Sequence, residues 1–219
     1  MSLNVFWESS KKIVAIGRNF AEHAKELGNA VPTKPFFFLK PTTSFVRPGG
    51  AVVIPPRADV HHEVELAVII GSTAKRVKAA EAMNHVAGYA VALDMTARNF
   101  QMEAKEKGLP WSAAKGYDTF CPIGDFIEKE KIKDPHNVEL WLKIDGQIKQ
   151  KGSTNQMIFD IPQLIEHVSS IMTLERGDVI LTGTPSGVGP VKAGQKLECG
   201  VTGITEATFH VEAHPESKL

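Results

Sequence analysis

Two glutamates, Glu63 and Glu65, lie two residues apart at the start of the largely apolar run 64–70. Side chains at i and i+2 of a β-strand point to the same face, with Cα atoms roughly 7 Å apart, so both carboxylates can converge on one point. Asp94 ends a second apolar run, 86–93, and supplies a third carboxylate. Such an all-oxygen site suits Mg²⁺, with Mn²⁺ or Ca²⁺ less favoured. The alternative is that the acids are solvated strand ends or ion-pair partners.

His23 and Glu26 lie three residues apart in a segment whose capping-box pattern, beginning at Asn19, predicts a short helix to about Leu27 that Gly28 ends. This spacing places both side chains on one helix face. A carboxylate beside an imidazole fixes its tautomer and raises its basicity, as a general base that activates water requires. The glycines around the segment predict a mobile lid. The alternative is an exposed surface pair without a chemical role.

Lys115 lies in the largely uncharged stretch 109–118. A lysine there either extends its amine to solvent or stabilises an enolate or carboxylate near the metal. Arg98 and Gln101 follow Asp94 at helical spacing and are candidates to hold a substrate carboxylate beside the cation. Otherwise they are ordinary surface residues of a helix.

The stretch 181–190 is rich in glycine and follows a predicted strand. It lacks the Gly-Lys-Ser/Thr of a phosphate-binding P-loop, and no helix follows it as in a dinucleotide fingerprint. Its backbone N–H groups and the Thr184 hydroxyl can face an anion, although a plain turn is the alternative. No Gly-x-Ser-x-Gly elbow supports a serine nucleophile. His61 and His62 face opposite sides of a strand, so at most one can bind the same ion as the acids.

The composition predicts one domain, 1–219, with no charge imbalance that would recruit nucleic acid or a membrane, since 25 Lys and Arg balance 25 Asp and Glu. The apolar runs are too short to cross a bilayer. Cys121 and Cys199 have no metal or redox spacing, which favours a reducing compartment. The first residues show neither a signal-peptide core nor an arginine-rich presequence.

Few helices are predicted among many strands. A helix capped by Thr96 is expected to reach Lys107, and another begins at Asp160 with an apolar stripe at helical spacing. Because strands and helices do not alternate as βαβ units, we expect a strand-rich roll or sandwich of α+β type. The predicted strands are 12–17, 36–40, 64–70, 86–93, 138–144 and 147–150 around an Asp-Gly turn, 178–181 and 204–211.

Together these segments resemble the fumarylacetoacetate hydrolase superfamily, most closely its short members of the acylpyruvase (oxaloacetate decarboxylase) type, from about Ile13 to Val211. The sequence departs from the family pattern at two places: Asn99 stands where Asp is common, and Gly116-Tyr117 follows Lys115 where Ser-Phe is commoner. Both departures leave the proposed catalytic groups in place. The residues that carry the resemblance are Gly17-Arg18-Asn19-Phe20 with His23 and Glu26, Phe38-Leu39-Lys40-Pro41, His62-Glu63-Val64-Glu65-Leu66, Gly88-Tyr89, Leu93-Asp94-Met95-Thr96-Ala97-Arg98 with Gln101, Gly108-Leu109-Pro110-Trp111 with Lys115, and the segment Gly177 to Gly189.

The resemblance implies a single catalytic domain with the fold of a mixed β-sandwich roll, residues 1–11 being an N-terminal extension, and a homodimer. It implies Mg²⁺, or Mn²⁺, at Glu63, Glu65 and Asp94. The implied catalytic residues are His23 and Glu26, as a water-activating dyad on a lid, and Lys115. The residues implied to bind substrate are Arg18, Arg98, Gln101 and Thr184.

The implied reaction is Mg²⁺-dependent hydrolysis of an acylpyruvate to pyruvate and a carboxylate, through an enolate that the cation and Lys115 stabilise. The same enolate permits decarboxylation of oxaloacetate and its keto–enol tautomerisation. Alternatives are an isomerase or hydratase of another 2-oxo acid on the same metal site, or a non-catalytic metabolite-binding protein. Eukaryotic relatives imply a mitochondrial location, with the cytoplasm as the alternative.

Overall fold

The structure is a computed structural model that describes residues 3–22 and 31–215. His23, Glu26 and most of the helix predicted from Asn19 lie outside the described residues. None of the described helices is both long enough and apolar enough to cross a membrane.

Strands dominate the described chain. They are β1 Ile13–Gly17, β2 Phe36–Lys40, β3 Phe45–Val46, β4 Ala51–Ile54, β5 Val60–His62, β6 Val64–Ile70, β7 Val86–Leu93, β8 Thr96–Ala97, β9 Cys121–Pro122, β10 Ile127–Glu128, β11 Glu139–Ile144, β12 Gln147–Ser153, β13 Val179–Leu181, β14 Gly189–Pro190, β15 Lys196–Val201 and β16 Thr205–Ala213. The α-helices of the described ranges are α1 Phe6–Ser9, α2 Ala79–Ala82, α3 Arg98–Glu106, α4 Ser112–Lys115 and α5 Ile161–Ile171.

Two large mixed sheets form the body of the fold. One has the strand order β10-β7-β6-β13-β1-β2, and the other has the order β12-β11-β15-β16-β4. In the first sheet β1 runs parallel to β13, whereas β6 runs antiparallel to both of its neighbours. Two smaller sheets, β14-β5-β8 and β3-β9, lie beside them. The strand-rich α+β class expected from the sequence is confirmed.

Strand β6 is the centre of the core, because every one of its residues is buried. Its side chains alternate between two apolar clusters: Leu66 and Val68 belong to the larger one, and Ala67 and Ile69 to the smaller one. A strand covered on both faces reads as a continuous apolar run, which is the pattern of 64–70. The acidic Glu65 is therefore an exception inside a dry strand.

Most predicted elements are found, and one prediction of a cap is wrong. Helix α5 begins at the predicted place, and it opens with a capping box in which Asp160 accepts from the Gln163 backbone N–H. Thr96 does not cap α3, because it belongs to β8 and the helix starts after Ala97 without a side-chain cap. The Thr96 hydroxyl instead donates to Glu63 Oε1 at 2.9 Å. An acceptor carboxylate from a distant segment has thus displaced the local capping role.

Candidate metal and substrate site

The three acids predicted to share a metal ion lie together. Glu65 is on β6, Glu63 directly precedes that strand, and Asp94 directly follows β7. Because β6 and β7 pair antiparallel with Val64 opposite Leu93, the start of one strand meets the end of the other. The Asp94 backbone N–H donates to the Glu63 carbonyl at 2.8 Å. One carboxylate oxygen from each acid lies within 4.8 Å of the others, and all three side chains are buried.

Three basic side chains contact this acidic trio. Lys115 Nζ lies 3.0 Å from Glu63 Oε2 and 2.6 Å from Asp94 Oδ2. Lys40 Nζ lies 2.7 Å from Asp94 Oδ1, and Arg98 Nη2 lies 2.5 Å from Glu63 Oε1. The six groups therefore balance in formal charge when all are ionised. A buried cluster of this kind is stable only as a set, since removing one partner leaves an uncompensated charge in a dry site.

Glu65 differs from the other two acids. Among the described residues, no basic side chain forms an ion pair with it, although its Oε2 accepts from the Gly183 backbone N–H at 2.6 Å. Burial, reinforced by the charges of Asp94 and Glu63, raises the pKa of the Glu65 carboxyl well above its ordinary value. A further cation beside Glu65 would remove that unfavourable field.

Lys115 keeps its positive charge despite complete burial at the end of α4. Burial by itself lowers the pKa of Lys115, but the charges of Asp94 and Glu63 outweigh it and the pKa is raised. Its Nζ also lies 5.0 Å from the centre of the Phe38 ring. Of the two roles open to Lys115 in the sequence, extension to solvent is excluded by this position.

Arg98 and Gln101 occupy the first turn of α3 and face the acids. Arg98 Nη1 donates to Gln101 Oε1 at 2.6 Å, while its Nη2 contacts Glu63. Its Nε is buried and has no hydrogen-bond partner among the residues that the structure describes. A buried donor without a partner is uncommon, and a ligand with acceptor oxygens would satisfy it.

A narrow cleft opens onto this cluster. Eight of the residues predicted from the sequence line it: Arg18, Glu63, Glu65, Asp94, Arg98, Gln101, Lys115 and Thr184. Ile16, Gly17, Phe38, Lys105 and Trp111 complete the wall. Burial, followed by the nearby Arg18 and Arg98 charges, lowers the pKa of Lys105. The cleft thus joins an acidic floor to a basic rim, an arrangement suited to a cation together with an anionic ligand.

Several residues of the site were not assigned a role from the sequence, among them Lys40 and Gln150. Lys40 closes the apolar strand β2, and a single lysine ending such a run was the signal available. Gln150, a buried side chain on β12, contacts both Thr184 and the backbone of Val64. Its strand reads as a polar hairpin arm, so nothing local marks it as part of the site.

The donor set fits a divalent metal ion. Three buried carboxylates within reach of one point, one of them without an ionic partner among the described residues, are hard oxygen ligands of the kind that Mg²⁺ and Mn²⁺ take. His62 does not belong to this group of converging ligand atoms. Its Nδ1 lies 2.8 Å from Oε1 of Gln150.

Comparison with protein families gives one match. The model of the family described as fumarylacetoacetate (FAA) hydrolase, C-terminal, matches residues 12–212. A mitochondrial oxaloacetate decarboxylase of Dictyostelium discoideum is 61% identical over 212 residues, which cover 95% of this chain and 97% of that protein. A mitochondrial oxaloacetate tautomerase, FAHD1 of Arabidopsis thaliana, is 58% identical, with 94% and 93% covered. The mitochondrial location expected from the resemblance agrees with these names.

Solved structures with the same fold include a fumarylpyruvate hydrolase of Pseudomonas aeruginosa in complex with Mn²⁺ and pyruvate. It is 32% identical with a TM-score of 0.87, and the match covers 94% of this chain and 91% of that one. A 5-carboxymethyl-2-hydroxymuconate delta-isomerase of Mycobacterium smegmatis is 42% identical with a TM-score of 0.84, covering 94% and 80%. Both similarities extend over nearly the whole of this chain.

Proposed function

The chain belongs to the fumarylacetoacetate hydrolase family and is an enzyme of that family, and on this premise we propose that it decarboxylates oxaloacetate to pyruvate, interconverts its keto and enol forms, and hydrolyses acylpyruvates. Relatives more than half identical are named for the first two activities. A structural neighbour is named for hydrolysis of fumarylpyruvate. All three reactions pass through an enolate next to a carboxylate.

The observation that carries this proposal is the contact of Lys115 with two of the three acids, which puts a fixed positive charge beside a site for a divalent cation. We propose Mg²⁺ as that cation and Glu63, Glu65 and Asp94 as its ligands. When bound, the cation supplies a Lewis acid for the negative charge that develops on the 2-oxo oxygen. A dianionic substrate together with the dication restores the charge balance of the cluster.

The proposed roles of the chain's own residues follow from their places. Arg98, Gln101 and Arg18 line the cleft with hydrogen-bond donors and bind the substrate carboxylates. Lys115, whose pKa is raised because the acids outweigh burial, retains its proton and stabilises the enolate by charge. His23, oriented by Glu26, takes a proton from water in the hydrolytic reaction.

One electron sink then serves three balanced reactions. In hydrolysis, the water oxygen bonds to the acyl carbon and the C–C bond breaks, leaving the enolate of pyruvate, which takes up a proton. In decarboxylation, the C–C bond to the carboxylate farther from the 2-oxo group breaks. CO₂ leaves, and the same enolate of pyruvate remains. In tautomerisation, a proton leaves the carbon next to the 2-oxo group and returns at oxygen, or the reverse.

The organisation of the protein is part of the proposal. We infer one catalytic domain over 1–219, with 1–11 as an extension, assembled as a homodimer in mitochondria. The location rests on the names of the relatives. Size-exclusion chromatography with light scattering tests the assembly, and a single cooperative unfolding transition tests the single domain.

The experiment that tests the function measures pyruvate from oxaloacetate and from a panel of acylpyruvates, with Mg²⁺ and with EDTA, and follows the ultraviolet absorbance of enol oxaloacetate in parallel. Turnover that EDTA abolishes is expected for each. His23→Ala should abolish acylpyruvate hydrolysis and spare decarboxylation, since only hydrolysis needs activated water. Equal loss of both activities would assign His23 to binding or folding instead.

A second candidate is an isomerase of an unsaturated 2-hydroxy acid. The 42% identity to a muconate delta-isomerase favours it. The same metal site would serve, but a His–Glu dyad for water would not be needed. Conversion of 5-carboxymethyl-2-hydroxymuconate that is faster than that of oxaloacetate, and insensitive to His23→Ala, would favour this candidate.

A further inference from the structure

Gln150 on β12 makes four hydrogen bonds next to the cleft, and one of them, to Val64 on β6, joins the two large sheets. Its Oε1 lies 3.0 Å from the backbone nitrogen of Val64 and 2.8 Å from Nδ1 of His62. Its Nε2 lies 2.8 Å from Oγ1 of Thr184 and 2.9 Å from the carbonyl oxygen of Pro185. The side chain is buried, so these contacts replace water entirely.

The orientation of this amide is determined by its partners. A backbone N–H can only donate, so the atom that faces Val64 is the amide oxygen. A backbone carbonyl can only accept, so the atom that faces Pro185 is the amide nitrogen. Both amide hydrogens and both lone pairs of Gln150 are then in use, and a fully satisfied buried amide holds one orientation.

The Thr184 hydroxyl has a fixed orientation because it contacts both the Gln150 amide and the Val64 carbonyl. It accepts an N–H from Gln150, and its Oγ1 lies 2.8 Å from the carbonyl oxygen of Val64. Because that carbonyl can only accept, the hydroxyl donates its single proton there. The oxygen of Thr184 keeps acceptor capacity alone, and Thr184 lines the cleft beside Glu65 and Lys115.

The turn that carries Thr184 is also held by backbone packing against β12. A Cβ added to Gly187 would lie 2.3 Å from the carbonyl oxygen of Lys149, and one added to Gly152 would lie 2.6 Å from Cβ of Pro185. Both contacts are closer than real Cβ atoms tolerate, so the turn and the strand leave no room for a side chain at either glycine. The turn has little room to rotate Thr184 away from Gln150.

We propose that Gln150 is a positioning residue that holds the Thr184 hydroxyl as a hydrogen-bond acceptor, so that the cleft selects ligands with an O–H donor at this point over ligands with acceptor oxygens only. The enol form of a 2-oxo dicarboxylate carries such an O–H, and the keto form does not. The inference rests on the proposed function for the class of ligand. It adds that the Thr184 hydroxyl favours binding of the enol form over the keto form before any reaction takes place.

The test compares two stable dicarboxylates that differ by one hydroxyl group, malate and succinate. Their binding is measured by calorimetry with Mg²⁺ present, for the wild-type protein and for Thr184→Val. Wild type is expected to prefer malate, and the preference should fall about threefold to tenfold in the variant, the size of one net hydrogen bond. Any chelation of the cation by malate is present in both proteins and cancels in the ratio.

Thr182→Val is the matched control. The Thr182 hydroxyl is buried and donates to the Leu66 carbonyl on β6 at 2.8 Å, the same kind of bond that Thr184 makes, but Thr182 does not line the cleft. This variant should keep the wild-type preference for malate. Thr184→Ser, which restores the hydroxyl, should keep it as well.

Gln150→Met tests the positioning role. Loss of the amide removes one of the two hydrogen bonds that hold the Thr184 hydroxyl, so the hydroxyl can turn away from the Val64 carbonyl and the preference for malate should fall. A merely structural role would weaken malate and succinate binding by the same factor. Thermal unfolding of each variant identifies any that fail to fold, and Thr184→Ser and Gln150→Met then carry the comparison.

Equal affinity of wild type for malate and succinate, or an unchanged preference in Thr184→Val, would overturn the inference. These measurements involve no turnover. Failure of the wild-type protein to convert oxaloacetate would contradict the proposed function and leave the binding comparison readable.

Discussion

The amine of Lys115 lies 2.6 Å from Oδ2 of Asp94, so the proposed catalytic lysine touches a proposed metal ligand directly. The contact has two consequences. The lysine charge is held where an enolate would form, and the lysine contacts two of the three carboxylates that would hold a cation. A variant of Lys115 can therefore separate catalysis from metal binding.

We expect Lys115→Met to lower kcat for oxaloacetate decarboxylation by about 10²–10³-fold, the usual effect of removing one preorganised electrostatic group. Metal affinity should stay the same or increase, because a positive charge that competes for Glu63 and Asp94 is gone. Turnover assays and Mn²⁺ titration measure the two effects. Lys143→Met is the control, since that lysine also lies against an aromatic ring, 4.7 Å from the centre of Trp141, but outside the cleft. Lost metal binding in Lys115→Met would contradict the prediction.

Glu65→Gln should stabilise the metal-free protein and abolish its response to metal. Burial and the neighbouring acids raise the pKa of Glu65 above its ordinary value of 4.5, so the folded state binds the proton more tightly than the unfolded state. The free energy of unfolding then decreases as pH rises from about 4.5 through the raised pKa, and it is constant above that. Glutamine removes this decrease.

Urea unfolding between acidic and neutral pH, with EDTA and with Mn²⁺, measures this effect. Wild type should gain stability with Mn²⁺, and Glu65→Gln should gain none. Glu198→Gln, on β15 of the other large sheet, is the control and should behave as wild type. An Mn²⁺ response that persists in Glu65→Gln would exclude Glu65 as a ligand.

Gly183→Ala should destabilise the protein and weaken metal binding together. Gly183 has a φ of +101°, and an added Cβ would lie 2.7 Å from Cβ of Asn19. Relief of that clash would shift the backbone N–H that donates to Glu65. Gly194→Ala separates the two causes, because Gly194 has a φ of +89° and no atom within 4 Å of an added Cβ.

Gly194→Ala is expected to cost about 1–3 kcal/mol from backbone strain alone, and to leave Mn²⁺ affinity unchanged. Gly183→Ala should cost more and lower the affinity. Equal costs and equal affinities would show that the close approach to Asn19 is without consequence.

The two cysteines should not react with thiol reagents in the folded protein. Burial raises the pKa of Cys121 to about 12, and burial also raises the pKa of Cys199. Since only the thiolate reacts, labelling with a disulfide reagent at pH 8 should be negligible before unfolding and complete for both after it. Cys121 is on β9 and Cys199 is on β15, so rapid labelling of the native protein would mean that one of these two strands opens locally.

Much of the site was predictable because its residues carry strong local signals. The spacing of Glu63 and Glu65 at the start of an apolar run marks two acids on one strand face, and Asp94 ends the next such run. Their convergence needed one further condition, the antiparallel pairing of β6 with β7. That pairing follows from the two longest apolar runs being covered on both faces.

Other features depend on contacts between distant segments. Thr96 has the residue type of a helix cap but donates to Glu63, and Lys40 ends a strand yet contacts Asp94. Gln150 lies on a polar hairpin arm and still fixes Thr184. None of these partners is near in sequence, so no local pattern records them.

By itself, then, the sequence determined which residue types are present, the strands they stand on and the family to which the chain belongs, because side-chain alternation and turn residues act over a few positions. Tertiary structure decided the electrostatics: which acid lacks a basic partner among the described residues, which lysines are buried, and which hydroxyl can only accept. These properties arise from desolvation and from the directions of hydrogen bonds between segments more than thirty residues apart, and they exist only once the sheets have packed.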